Sequence, residues 1–236
     1  MSDSEDAVAY AKKHQKSLVK QICNIDICEP SATPFTLFMA GSPGSGKTEY
    51  SKNLLKELEK KDASQKIVRL DTDELRELIP QYNGKNSNTV QQAATLLFDK
   101  AFDCIQNKNL NAIIDSTFAS PRSIENVGRA MKRGRKVGVL YLHQDPLIAW
   151  DYTKKREKME GRTVPKKVFI NAYFSAKNNV DNIKKKYGSQ IELNLFEKDQ
   201  KNNFIKKARF NIQTLDEYLK VDYTHATLEK LLPNEV

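Results

Sequence analysis

A glycine-rich stretch near the start of the chain has the residue types and spacing of a phosphate-binding loop. Gly41, Gly46, Lys47 and Thr48 stand in the order G-x-x-x-x-G-K-T. Glycines let the chain turn tightly and bring its N–H groups close to phosphate oxygens, because no Cβ stands in the way. The lysine supplies a mobile positive charge for the β and γ phosphates, and the threonine hydroxyl is a ligand for Mg²⁺. The spacing therefore predicts a site for a nucleoside triphosphate with Mg²⁺, and ATP is the favoured nucleotide.

The sequence on either side of this turn supports the same prediction. Residues 34–40 predict a strand before the turn, and residues 47–60 predict a helix after it. The N-terminus of such a helix presents free amides and a positive dipole end to an anion. The predicted nucleotide-binding residues are Gly41, Ser42, Pro43, Gly44, Ser45, Gly46, Lys47 and Thr48.

Two other classes of nucleotide-binding protein lack their motifs in this chain. A GTPase switch needs an aspartate with glycine three residues later, and no aspartate here has one. A motor ATPase needs an acidic pair at the end of a strand, but Asp115 is followed by Ser116 and Thr117. These absences favour a kinase, in which an acceptor hydroxyl takes the place of water.

Two aspartates follow the second predicted strand. Asp71 and Asp73 emerge at the carboxyl end of that strand, where parallel α/β sheets bind their ligands. A carboxylate that is ionised at neutral pH aligns a hydroxyl and accepts its proton. We predict that Asp73 is this base, and that Asp71 caps the next helix or joins Thr48 in the metal site. The alternative is that the segment only caps the helix, which one of the two aspartates does in either case.

Two arginines in the second half of the chain are candidate catalytic cations. The transferred phosphoryl group carries spread negative charge, so a kinase needs cations that close over it. Arg156 lies on a predicted helix, and Arg162 lies in a loop bounded by glycine and proline that we expect to act as a lid. The alternative is that both are plain surface residues. Lys155 competes with Arg156 for the first of the two positions.

Strands alternate with helices along the rest of the chain, a pattern typical of parallel βαβ units. We predict an α/β fold of the three-layer P-loop kinase type, with a mainly parallel central sheet flanked by helices. Two late strands are expected to form a hairpin at the sheet edge. The strands predicted after the first are residues 66–70, 111–115, 136–143, 190–198 and 204–212. The later helices are predicted at residues 89–106, 123–134, 146–160, 166–188, 215–220 and 227–232.

The chain is predicted to have one main domain. We expect residues 1–30 to form an N-terminal helical extension and residues 31–236 to form the kinase domain with C-terminal strands and helices. The helix at residues 5–22 is amphipathic, so packing on the core is favoured over shielding of a site.

The chain is basic, with a formal net charge of +9 and a pI of about 9.3. Basic surfaces bind nucleic acids, but the lysine clusters here lack interleaved aromatic residues on which bases would stack. A solvated surface or an anionic small substrate is therefore favoured over nucleic acid. No apolar run is long enough for a membrane span, the first residues lack a signal core, and the three cysteines fit neither a disulfide framework nor a zinc site. These features predict a cytoplasmic protein with reduced thiols.

These motifs together resemble the zeta toxin family of P-loop kinases, from about Pro34 to Gly188. The matching segments are "GSPGSGKT", "LDTDEL", "IID" and "RTVPK". The resemblance implies transfer of a phosphate from ATP to UDP-N-acetylglucosamine, and a small helical antitoxin that obstructs the nucleotide site.

The resemblance also implies roles for single residues. Asp73 falls on the catalytic base, Lys47 on the phosphate lysine, and Arg156 and Arg162 on the two active-site arginines. Asp99 and Asp115 fall on acidic positions near the sugar substrate. These two are aspartates where family examples carry glutamate, and the segment between the two arginines is shorter here. The aspartate side chain is about one methylene shorter than that of glutamate, so its carboxylate extends less far into the site. This difference can change which sugar the site accepts.

Two further interpretations stay open from the sequence. Residues 115–122, "DSTFASPR", resemble turns in polynucleotide 5′-hydroxyl kinases and in small-molecule phosphotransferases, where Arg122 would contact an acceptor or a leaving phosphate. Residues 120 and 121 also suit the start of a helix. The non-enzymatic alternative is an ATP-gated binding module that transfers no phosphate.

Overall fold

The computed structural model describes residues 2–62, 66–160, 163–199, 204–220 and 222–233. A six-stranded sheet runs through the molecule in the order β2-β3-β1-β4-β5-β6. The first five strands are parallel neighbours, and β6 pairs antiparallel with β5 at one edge. The strands are β1 (Phe35–Ala40), β2 (Val68–Asp71), β3 (Ala112–Asp115), β4 (Lys136–His143), β5 (Ile191–Lys198) and β6 (Ile205–Arg209).

Helices connect the parallel strands. An additional 3₁₀ turn, Gly188–Gln190, precedes β5. The helices are α1 (Asp3–Ile22), α2 (Lys47–Lys61), α3 (Thr72–Glu77), α4 (Ser87–Asn107), α5 (Pro121–Lys132), α6 (Pro146–Glu160), α7 (Lys166–Tyr187) and α8 (His225–Leu231). This arrangement confirms the predicted α/β fold with a mainly parallel sheet flanked by helices.

The two faces of the sheet are buried against different helices. Successive side chains of β1 point to opposite faces, so Phe38 joins the core formed with α1, α4, α5 and α7. Met39 joins the opposite core, where Leu54 and Leu58 of α2 pack on the sheet. A smaller cluster around Trp150 holds α6, α7 and α8 together. The sheet is therefore the middle of three layers, and its strand ends are fixed from both sides.

The N-terminal helix packs into the main core. Ala7 and Ala11 of α1 are fully buried, and α1 lies along α4. Side chains this small let two helices approach closely. The helix begins with a capping box in which Ser2 and Glu5 satisfy each other's backbone N–H groups. Among the described residues, no helix combines the length and the apolarity needed to cross a membrane.

One predicted element is wrong. Residues 215–220 form a turn and not a helix. The N–H groups of Tyr218 and Leu219 both donate to the carbonyl of Leu215, which closes a single turn. Six residues do not propagate a helix without further support, and here the burial of Leu215 and Leu219 holds the turn instead. The predicted hairpin of β5 and β6 is present, with β6 ending at Arg209, three residues earlier than expected.

Candidate active site

The glycine-rich turn joins β1 to α2 and has the local geometry of a phosphate cradle. Gly46 is the N-cap of α2 in a left-handed conformation with φ 88°, and no side chain caps the helix end. The backbone N–H groups at this helix end therefore point into the turn and are free to bind an anion there. Lys47 Nζ donates hydrogen bonds to the carbonyl oxygen of Ser42 at 2.7 Å and to Ser45 Oγ at 3.3 Å. The ammonium group is thus held back against the loop that it is predicted to serve.

Gly44 is the point where this loop contacts α6. Its φ is +72°, and a Cβ on it would collide with the carbonyl of Ala149 and lie 2.6 Å from Thr153 Oγ1. A glycine is needed here because both the backbone conformation and the space exclude a side chain. The contact ties the turn to the helix that carries Arg156.

A cavity of about 400 Å³ opens over the turn. Most of the predicted site residues line it together, although they come from distant parts of the sequence. The lining includes Pro43, Gly44, Gly46, Lys47 and Thr48 of the turn, Asp71 and Asp73 after β2, Asp115 after β3, and Arg156 of α6. Parallel strands bring their carboxyl ends to the same edge of the sheet, which is why these residues converge.

A buried arginine holds two of the carboxylates together. Arg69 precedes Asp71 by two residues on β2, so both side chains point to the same face of the strand. Its guanidinium lies 2.6 Å from Asp71 Oδ2 and 2.6 Å from Asp115 Oδ2, and it also contacts Glu74 at 2.7 Å. Ser51 of α2 donates to Asp115 Oδ2 at 2.7 Å, which joins α2 to the same cluster.

Asp71 is in an environment that favours its neutral form. Burial, together with the charges of Asp73 and Asp115, raises the pKa of Asp71 to about 6. The hydrogen bond from the Asp73 amide and the charge of Arg69 oppose this rise. Asp71 also accepts that amide bond as the N-cap of α3, at 2.9 Å.

Asp73 is held by a cation from its own helix. Arg76 lies one turn further along α3, and its guanidinium donates to Asp73 Oδ1 at 2.7 Å. The same guanidinium donates to Gln91 Oε1 of α4 at 2.6 Å. Asp73 and Arg76 both line the cavity, so the predicted base faces the phosphate loop.

The predicted cations differ in what the structure describes. Arg156 lines the cavity, whereas Lys155 of the same helix lies over the ring of Tyr152. This geometry favours Arg156 over Lys155 for the first catalytic position. Arg162 lies outside the described residues. Val164, just after it, lines the cavity.

Asp99 and Arg122 lie in a neighbouring cavity of about 150 Å³. Arg122 Nη1 donates to Asp99 Oδ2 at 3.0 Å, and Phe98 supplies an apolar wall. Residues shared by both cavities, among them Thr72 and Ser116, connect this space to the phosphate loop. Asp115, predicted beside them, lies in the buried cluster around Arg69 and lines the larger cavity.

Sequence reasoning missed several residues that line the site. Arg69 and Arg76 were detectable in principle, because each stands within three residues of a predicted aspartate and on the same face of its element. Tyr152, Thr153 and Lys198 carry no motif, so only the packing of α6 and β5 against the turn brings them to the cavity.

The donor groups at the site suit Mg²⁺ and a nucleoside triphosphate. Mg²⁺ prefers oxygen ligands, and Thr48, Asp71 and Asp115 supply a hydroxyl and carboxylates along one cavity. Across the residues that the structure describes, no three His, Cys, Asp or Glu side chains form an all-protein metal cage.

Comparisons with known proteins identify the family and the fold. The family model described as zeta toxin matches residues 19–209. A structure from the PezAT chromosomal toxin–antitoxin system of Streptococcus pneumoniae superposes with a TM-score of 0.59 at 16% identity, covering 99% of this chain and 88% of that one. The AvrRxo1-ORF1:-ORF2 complex with ATP gives a TM-score of 0.58 at 15% identity, covering 88% of this chain and 65% of that one. The same complex with sulphate ions gives 0.60 at 15%, covering 92% and 70%.

At these identities the structural matches establish the fold, while the family model covers most of the chain and confirms the resemblance seen in its motifs. The chain therefore belongs to the zeta toxin family, and it is an ATP-dependent kinase.

Proposed function

We propose that this kinase transfers the γ-phosphate of ATP to a hydroxyl of UDP-N-acetylglucosamine or a related UDP-activated sugar. The observation that carries the proposal is one cavity lined by the phosphate loop, Asp73 and Arg156, with the Asp99 and Arg122 cavity opening beside it. The family supplies the nucleotide-sugar class of acceptor. The adjoining cavity is the proposed binding site for part of that acceptor.

Asp73 acts as the base in this proposal. The acceptor hydroxyl forms a bond to the γ-phosphorus, the bond from that phosphorus to the leaving ADP oxygen breaks, and the hydroxyl proton passes to Asp73. Arg76 orients the carboxylate through its 2.7 Å hydrogen bond to Oδ1.

Lys47, Arg156 and Arg162 hold the transferring phosphoryl group. Positive charges placed where negative charge spreads in the transition state lower the barrier because they need no reorganisation during the reaction. Lys47 leaves its resting hydrogen bonds to the Ser42 carbonyl and to Ser45 when phosphate oxygens compete for its ammonium. The role of Arg162 rests on the family resemblance alone, since this residue lies outside the described ranges.

Thr48, Asp71 and Asp115 are the proposed ligands for Mg²⁺, directly or through water. Bound Mg²⁺ supplies charge neutralisation of the β and γ phosphates. Arg69 bridges Asp71 and Asp115 at 2.6 Å each, so the carboxylates are held in place in advance of the ion. Assigning Asp115 to the metal shell revises its expected place beside the sugar, because Ser51 and Arg69 bury it behind the loop.

Asp99 and Arg122 are the proposed acceptor-binding residues. Both are part-exposed at the second cavity and pair with each other at 3.0 Å. A guanidinium suits the diphosphate of a nucleotide sugar, and a carboxylate suits a sugar hydroxyl. Phe98 supplies the apolar wall on which a ring can pack.

The decisive experiment combines the full chain, ATP and Mg²⁺ with UDP-N-acetylglucosamine and follows the product by mass spectrometry. We expect a phosphorylated nucleotide sugar, and we expect Asp73→Asn to lower its rate by about 10² to 10⁴ while ATP affinity stays within about twofold. Asp26→Asn, an exposed carboxylate paired with Lys20, is the matched control and leaves the rate unchanged. Equal turnover by Asp73→Asn would remove Asp73 from the mechanism.

The same assay separates the rival functions. Phosphate transfer to a 5′-hydroxyl oligonucleotide, with none to the sugar, would show that the acceptor is a polynucleotide. The oligonucleotide is included because a net charge of +9 favours binding to nucleic acids. ATP affinity that is lost on Lys47→Ala, with no product from any acceptor, would indicate a binding module.

We propose further that the protein is the toxin of a toxin–antitoxin pair, with a small helical antitoxin covering the nucleotide site. The support is family membership and the PezAT structure, which comes from such a system. Induced expression should arrest bacterial growth, and Asp73→Asn should abolish the arrest. Persistent arrest by that variant at equal protein levels would show that toxicity does not come from phosphate transfer.

A further inference from the structure

Lys198 reaches the phosphate loop from a strand that no motif connects to it. It is the last residue of β5, and an irregularity in the pairing with β6 lies between Glu197 and Lys198. Its side chain lines the larger cavity. A Cβ at Gly46 would collide with Lys198 Nζ, so the ammonium occupies the space that the glycine leaves open.

This is an unfavourable place for a cation without an anion beside it. The α2 N-terminus at Gly46 presents unsatisfied amides and the positive end of the helix dipole, and Lys47 adds a second positive charge. Burial lowers the pKa of Lys198, and attraction to Glu49 opposes that effect. Glu49 of the first turn of α2 lies near the same Gly46 position and attracts the ammonium without forming an ion pair with it.

We propose that Lys198 binds the phosphate chain of ATP, so that the nucleotide is held by two lysines, one from the phosphate loop and one from the end of β5. When the triphosphate lies in the loop, its oxygens accept hydrogen bonds from the Lys198 ammonium and compensate its charge directly. A flexible four-carbon stem suits this exchange, since the Nζ moves a short distance while the strand stays fixed. This inference rests on the nucleotide occupying the loop of residues 41–48.

The first test is the affinity of the full chain for ATP, measured by isothermal titration at low ionic strength. Lys198→Met keeps the length of the stem and removes the charge, and we expect the Kd for ATP to rise about tenfold, as for loss of one charge-assisted hydrogen bond. Lys198→Arg should stay within about threefold of the wild type. Lys207→Met on β6 removes the same charge from an exposed side chain and should leave the Kd unchanged.

A second measurement separates binding from a merely structural effect. Glu49→Gln removes a negative charge that attracts Lys198 and repels the triphosphate, so it should tighten ATP binding by about twofold to threefold in the wild-type background and less in Lys198→Met. Equal effects of Glu49→Gln in both backgrounds, or a wild-type Kd in Lys198→Met, would overturn the proposal.

Lys47→Ala distinguishes this failure from failure of the nucleotide site itself. Loss of ATP affinity in Lys47→Ala with wild-type affinity in Lys198→Met would leave the loop as the nucleotide site and reject Lys198 alone. Unchanged affinity in both variants would reject the loop as the nucleotide site and, with it, the role of Lys198.

Discussion

At the scale of single residues, the site depends on charges that are buried beside one another. Arg69 contacts Asp71, Asp115 and Glu74 within 2.7 Å, and its own side chain is 6% exposed. Removing one charged residue of such a cluster leaves the other buried charges uncompensated. This destabilises the folded protein more than replacing the whole cluster by apolar residues would. The cluster fixes the floor of the cavity, and Arg76 fixes Asp73 above it. The two arginines therefore orient the carboxylates before any ligand is present.

The raised pKa of Asp71 predicts a pH-dependent stability. The folded protein binds the Asp71 proton with a pKa of about 6, above the ordinary aspartate pKa of 3.8. Between these two values the folded state carries the proton and the unfolded state does not, so this group's contribution to stability falls as pH rises from about 4 to about 6. The expected loss is about 3 kcal/mol in the free energy of unfolding.

Asp71→Asn should abolish this contribution because asparagine does not titrate, while its side-chain oxygen still accepts the amide bond at the start of α3. The measurement is urea unfolding of both proteins from pH 4 to pH 7 without divalent ions. We expect the wild-type free energy of unfolding to decline relative to the variant over this interval. Parallel curves would mean that Asp71 titrates alike in the folded and unfolded chain.

At the scale of elements, the phosphate loop is shaped by its contact with α6 as much as by its own glycines. Gly44 is in van der Waals reach of Ala149 and Thr153, so the loop and the helix that carries Arg156 share one boundary. The Thr153 hydroxyl donates a hydrogen bond to the Ala149 carbonyl oxygen at 2.9 Å, so this oxygen, which faces Gly44, has a hydrogen-bond partner. A shift of α6 would therefore be transmitted to the loop.

Gly44→Ala tests this contact. The new Cβ would meet the Ala149 carbonyl, so the loop or the helix must move, and we expect a loss of more than tenfold in ATP affinity together with a lower melting temperature. Gly134→Ala is the matched control, since Gly134 also has positive φ but has nothing within 4 Å of its Cβ position. It should cost about 1 kcal/mol of stability and leave ATP affinity unchanged.

Melting temperature and ATP titration, measured on the same preparations, separate the two variants. Equal affinities for ATP in Gly44→Ala and Gly134→Ala would show that close packing on α6 is unimportant for the loop.

At the scale of the whole molecule, the N-terminal helix belongs to the same core as the sheet. Ala7, Ala11 and Leu18 are buried in the cluster that also contains Phe38 of β1 and Phe102 of α4. The helix lies on α4, and none of its residues lines the cavity over the phosphate loop. Its contribution is therefore expected in stability and not in nucleotide binding.

Ala11→Glu tests that division. A carboxylate at a fully buried position without a partner should lower the free energy of unfolding by more than about 3 kcal/mol. Lys12→Glu, at the neighbouring exposed position, makes a larger change in charge and should have little effect. Chemical unfolding gives the stabilities, and ATP affinity measured below the transition should match the wild type for both. A wild-type stability in Ala11→Glu would mean that α1 detaches from α4 readily.

Much of the site followed from local sequence. The spacing of Gly41, Gly46, Lys47 and Thr48 specifies a turn between a strand and a helix, and turn geometry depends on residues close together in the chain. Asp71 and Asp115 were identifiable because each ends an apolar strand, and parallel strands end at a common edge. The turn at residues 215–220 was misassigned because its short apolar pattern fits a helix equally well.

The sequence by itself determined the phosphate loop, the alternating strands and helices, and the carboxylates at the strand ends, since each depends on residues that are neighbours along the chain. Only the tertiary structure decided that Arg69 bridges Asp71 and Asp115, and that Lys198 reaches Gly46. These contacts join residues far apart in sequence, and they depend on how strands and helices pack. A pattern of residue types does not specify that packing, because the burial of a side chain and the charges beside it depend on how the strands and helices contact one another in the folded protein.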